Sequence, residues 1–99
     1  MSVNTLANFM AAVNATTGAA SGIRYTCTQD AYGTILVSNA ATGKLLYKVF
    51  YSALGQAGVN ANANNTTGAS VTVVGENSGL NDSRRYIDAQ VWLNWLAAN

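Results

Sequence analysis

The sequence predicts an α+β domain, and three observations carry the prediction. Apolar residues recur at helical spacing at the start of the chain, alternate with polar ones through the middle, and return to helical spacing at the end. The turns within the alternating region are short, which favours antiparallel neighbours over crossovers. Ninety-nine residues supply one hydrophobic core and not two, so residues 1–99 are expected to form a single domain.

The first helix is read from Val3, Leu6, Phe9, Met10 and Val13, which share one face. Asn4, Thr5, Asn8 and Asn14 lie away from that face, so the polar side carries no charge. Ser2 is the expected N-cap, and Gly18 is expected to take the left-handed position after the last turn. The Ala19–Gly22 segment then reads as a flexible link.

From Ile23 the period is two. Ile23, Tyr25 and Cys27 alternate with Arg24, Thr26 and Thr28, a strand with a polar outer face. Asp30-Ala31-Tyr32-Gly33 is turn chemistry, Thr34–Ser38 a second strand, Asn39–Lys44 a second turn, and Leu45–Tyr51 a third strand. Leu45, Tyr47, Val49 and Tyr51 should share one face of it, with Leu46, Lys48 and Phe50 on the other. The three strands form an antiparallel meander.

Residues 53–70 have no charge and little to bury, and a loop of that length in a small domain points to function or disorder. Val71–Val74 should add a short fourth strand. The chain then reaches a last helix, capped by Asn81, Asp82 or Ser83. Ile87, Val91 and Trp95 cover one sector of that helix, Trp92 and Leu96 extend it, and Tyr86, Leu93 and Ala97 sit nearly opposite. A helix apolar around most of its circumference wants burial on more than one side, and a four-stranded sheet covers only one. The tryptophans therefore either complete the core with the first helix or anchor a contact with another chain.

Composition narrows the chemistry. Charged residues are 9% of the chain, against about 25% in an average soluble domain, so the surface must be built from Asn, Thr, Ser, Gln and backbone. A net charge of +1 leaves little repulsion between copies. The chain has no histidine, which removes the commonest general base and the commonest metal ligand together. Its single cysteine, Cys27, excludes an internal disulfide and, on an alternating strand, reads as a small core residue.

Asp30, Glu76, Asp82 and Asp88 propose no paired-carboxylate site. GQAG and GENSG match neither a phosphate loop nor a dinucleotide fingerprint, so no cofactor is expected. Arg84 and Arg85 are the one paired basic site, placed where a helix start could help hold a phosphate or carboxylate. Five basic against four acidic residues leave no footprint for nucleic acid. No apolar run approaches a membrane span, and the N-terminus lacks the basic region of a signal peptide. Four Asn-X-Ser/Thr triplets, at Asn14, Asn64, Asn65 and Asn81, are expected by chance in so Asn- and Thr-rich a chain.

The stretches ATGKLLYKVFYSALGQAGVNANANNTTGAS and RRYIDAQVWLNWLAAN are rich in Ala, Asn, Gly and Thr and poor in charge. In that style the chain resembles the virion proteins of tailed bacteriophages. The resemblance implies a phage origin and a structural or assembly role, with synthesis in the host cytoplasm and a place in the virion; it transfers no site residues. The expected function is non-enzymatic, through homo-oligomer contacts or contacts with other protein subunits, and Tyr86, Trp92, Trp95 and Leu96 are the expected interface. Two alternatives belong to other classes. One is a small phage-encoded inhibitor of a host defence protein. The other captures a small-molecule ligand, a nucleotide, at an oligomer interface through Arg84, Arg85 and Tyr86 or Trp92.

Overall fold

A computed structural model describes residues 3–53, 69–75 and 87–99. Helix α1 spans Leu6–Asn14, and Thr5 caps it: the Asn8 N–H donates to Thr5 Oγ1 over 3.2 Å. The cap is therefore three residues later than Ser2, which lies outside the described residues. Val3 is still buried, packing as part of the extended lead-in to the helix.

α1 ends without a left-handed glycine. Thr16 Oγ1 donates over 2.7 Å to the Ala12 carbonyl, which also accepts the Ala15 N–H over 3.2 Å, so the last turn is closed by bonds to its own carbonyls. Thr17 then forms an isolated antiparallel bridge with Arg24. Gly18 is buried, and the positive φ in this region belongs to Gly22 at 74°. The link after α1 is bonded at both ends of its turn. The Ala19 N–H donates to Ala97 O over 2.8 Å and the Ser21 N–H to Asn99 O over 2.7 Å. It thus serves as the C-terminal cap of the last helix, where sequence predicted a flexible connection.

Five strands follow: β1 Tyr25–Gln29, β2 Ile35–Asn39, β3 Leu45–Ser52, β4 Ser70–Val74 and β5 Ile87–Asp88. Among the described residues they form one antiparallel sheet in the order β1-β2-β3-β4-β5, so each strand neighbours the one before it. In the β1–β2 turn, Asp30 Oδ1 accepts the Tyr32 and Thr34 N–H groups at 2.9 and 3.0 Å, and Gly33 takes φ 84°. In the β2–β3 turn, Asn39 Oδ1 plays the same part for Ala41 over 2.9 Å.

β3 departs from simple alternation at its start. Val37 pairs with Tyr47 but Ser38 with Leu45, so Leu46 is an extra residue in a bulge. The bulge carries Leu45 to the outer face beside Ser38, where it is exposed, and corrects its predicted place beside Tyr47 and Val49.

Helix α2 spans Ala89–Ala98. Its cap is Asp88, whose Oδ1 accepts the Gln90 and Val91 N–H groups at 2.8 and 3.4 Å. The predicted caps Asn81, Asp82 and Ser83 lie outside the described residues, and the helix starts at Ala89 because Ile87 and Asp88 are held in extended pairing with Val71 and Ser70. Within the predicted loop 53–70, residues 54–68 also lie outside the described residues; Ala69 is buried and Ser70 opens β4.

α1 and α2 pack on the same face of the sheet. The core between the layers holds Phe9 and Val13 from α1, Trp92, Leu93 and Leu96 from α2, and Tyr25, Ile35, Val37, Tyr47, Val49 and Val71 from the strands. Trp92 is at its centre, with ring centroids 6.1 Å from Phe9, 5.9 Å from Tyr47 and 6.5 Å from Trp95. Edge-to-face geometry with Tyr47, at 88°, is the favoured aromatic arrangement.

Candidate functional site

Strand pairing determines what the opposite face of the sheet displays. Cross-strand partners point the same way, so Thr28, Leu36, Lys48 and Val74 form one row across β1 to β4. Phe50 and Thr72 form the next row on one side, and Thr26, Ser38 and Leu45 on the other. No described helix covers this face. Leu45, Phe50 and Val74 are 44%, 49% and 55% exposed, although large apolar residues are normally turned inward.

Lys48 is the one charge among these rows, flanked in its row by Leu36 and Val74. No ion pair joins it to a described residue. Beyond the end of the sheet that carries Phe50, the Asp30–Thr34 turn holds Tyr32, which is 93% exposed. Asp30 is half-buried beside it, and Asp88, the other carboxylate among the described residues, is buried. Among the described residues the surface offered is therefore mixed: Leu36, Leu45, Phe50 and Val74 stand among threonines and Ser38, with one lysine on the face and one acidic side chain nearby.

The residues singled out in the sequence are distributed differently. Trp92 and Leu96 are fully buried in the chain's own core, so neither offers surface to another molecule. Trp95 is partly buried and packs against Tyr47 with centroids 6.0 Å apart. Tyr86, Arg84 and Arg85 lie outside the described residues. Helix α2 itself begins at Ala89.

Other candidate chemistry is weak. Cys27 is buried, its Sγ donates to Met10 O over 3.4 Å, and burial pushes its thiol pKa up, away from the reactive thiolate. Among the described residues, three buried polar atoms lack hydrogen-bond partners: Tyr25 Oη, Ser70 Oγ and Trp92 Nε1. Ser70 stands between Ser52 and Asp88 in a polar row, but its hydroxyl is sealed from any substrate. Among the described residues no group of three or more metal-ligating side chains comes together, and no helix is long and apolar enough to cross a membrane.

A depression of about 340 Å³ lies beside Arg24, lined by Ser21, Gly22, Ile23, Asn39, Ala40 and Ala41. Its backbone donors are already committed. Gly22, Ile23, Ala40 and Ala41 give their N–H groups to Gly18 O, Ser21 Oγ, Arg24 O and Asn39 Oδ1. That leaves an exposed guanidinium with no supporting cradle for an anion.

Sequence reasoning placed Lys48 and Phe50 together on the second face of β3 and offered both helices on one sheet face as one reading, but it did not assign which face of β3 stays uncovered. No family model matches the chain, and neither a curated protein nor a solved structure does.

Proposed function

We propose that the chain is a non-catalytic assembly protein that associates with further copies of itself, using the uncovered face of the sheet. The observation that carries the reading is the set Leu45, Val74 and Phe50, three large apolar side chains exposed in successive rows of a face that no described helix protects. Contiguous exposed apolar surface marks interaction sites, while singly scattered residues do not. A net charge of +1 on 99 residues removes the repulsion that keeps most small domains apart. The compositional resemblance to tailed-phage virion proteins points to a particle as the setting, where many copies meet through neutral polar surfaces.

This reading moves the contact from α2 to the sheet. Trp92 and Leu96 stabilise the subunit, and the face of β2, β3 and β4 joins subunits. The test is the solution mass by light scattering behind a sizing column over a range of concentrations. The wild-type chain should form a defined oligomer and Phe50→Ser should shift it toward the 10.3 kDa monomer. A wild-type monomer at every concentration would end the reading.

A further inference from the structure

From the geometry we infer that the Asp30–Thr34 turn of one copy docks onto the Lys48–Phe50 face of another. The inference rests on the self-association proposed above and names its contact.

Area gives the first argument. By standard strand spacings the face is roughly 20 Å across and 17 Å along the strands, short of the ~800 Å² per partner of a typical specific interface. Flat packing of the face alone is too small, so a projecting element must add area. The β1–β2 turn projects, and Tyr32 at its tip is 93% exposed. A tyrosine this bare has no role in the packing of its own subunit. Tyrosine is also among the side chains that most often carry binding energy, because it buries large area at small entropic cost.

Charge gives the second. Lys48 is surrounded on the face by Leu36, Val74 and Thr residues, and joins no ion pair with a described residue. An apolar partner alone would bury that ammonium without compensation, which is costly. The partner must therefore bring a carboxylate. Asp30 uses Oδ1 on the Tyr32 and Thr34 N–H groups, and no described contact engages its other oxygen. Among the described residues the other acidic side chain, Asp88, is buried and unable to serve.

Spacing gives the third. Lys48 and Phe50 are two residues apart on one strand face, roughly 7 Å. Asp30 and Tyr32 are also two apart, and their Cα atoms lie within about 7.6 Å. One turn can thus set its carboxylate on Lys48 and its ring on Phe50 together. Each copy carries both halves of the contact.

The test uses the whole chain in sedimentation velocity over a concentration range, with Tyr32→Ala, Lys48→Met, Asp30→Asn and the Asp30→Asn/Lys48→Met double variant. Asn keeps the Oδ1 acceptor that shapes the turn. Tyr32→Ala and Lys48→Met should each weaken association about tenfold or more, while melting of the dilute monomer stays as in wild type. The double variant should be no weaker than Lys48→Met alone, the signature of a direct pair. An oligomer unchanged by Tyr32→Ala and Lys48→Met would overturn this contact and leave self-association standing, and strictly additive losses in the double variant would overturn the ion pair. A wild-type monomer throughout would overturn both.

Discussion

Asn14, the last residue of α1, turns its side-chain carbonyl onto the edge of the sheet: Oδ1 accepts the Cys27 backbone N–H over 2.9 Å and the Thr26 hydroxyl over 3.3 Å. An outer strand normally presents unpaired N–H groups that invite another strand. Here a helix terminus occupies one of them, and the Thr17–Arg24 bridge occupies the stretch before it. Asn14→Ala should cost about 1–2 kcal/mol, because it strands a partly buried donor. Asn14→Asp, which keeps an acceptor, should cost less. Urea denaturation of the two variants checks this, and equal stability of Asn14→Ala and wild type would show that the side chain guards nothing.

Trp92 and Trp95, three residues apart, should respond very differently to truncation. Trp92 is completely buried against Phe9 and Tyr47, and Trp92→Ala should cost about 3–5 kcal/mol, a large part of a small domain's total stability. Trp95, only partly buried at the rim of the same cluster, should cost clearly less. Chemical unfolding monitored by fluorescence of the remaining tryptophan measures both.

Alkali should weaken the fold. Burial raises the pKa of Cys27 above its ordinary 9.0 and that of Tyr51 above 10.0; for Tyr47 burial acts first, then the charge of Tyr25. In each case the folded state holds its proton more tightly than the unfolded state does. The stabilisation is complete below pH 9 and is lost as pH rises through 9 to 10 and beyond. Tyr51 adds a specific cause, since only its neutral phenol can donate to Val3 O, 2.7 Å away. Urea midpoints at pH 7, 9 and 10.5 should fall in that order, and a midpoint unchanged at pH 10.5 would contradict the assignment.

Gly18 allows the clasp between the first link and the last helix. A Cβ there would stand 2.5 Å from Ser21 Oγ and 2.9 Å from the Asn99 carbonyl carbon. Gly18→Ala should therefore cost about 1–3 kcal/mol by overpacking. Hydrogen exchange should locate the damage, with faster exchange at the Ala19 and Ser21 amides that hold Ala97 and Asn99.

The parts of the fold legible in the sequence were those set by local period. Tyr25 and Cys27 alternate with threonines, Tyr47 and Val49 with Lys48 and Phe50, and Phe9 and Val13 repeat every four residues. What escaped was set by partners distant in sequence. Leu45 changes face because Ser38 pairs with it across a bulge. α2 begins at Ala89 because β4 holds Ile87 and Asp88 extended, overriding a helical pattern that runs back past Tyr86. The link after α1 is ordered by carbonyls some eighty positions further along the chain. For the candidate site the same division holds: alternation put Lys48 and Phe50 on one face, but only the placement of both helices on the opposite face shows which side stays bare.

The strictly sequential strand order has a consequence for birth on the ribosome. Each strand finds its partner in the segment synthesised just before it, so the sheet can zip up as it emerges, with α1 already in place over its first strands. The helix that brings Trp92, Leu93 and Leu96 emerges after all of them. A nascent chain stalled before Ala89 would hold a paired sheet whose Val71 and Val73 remain open to water, a natural client for a chaperone. Emergence of α2 closes the core, so the burial of Val71 and Val73 waits on a helix made after every strand it packs against.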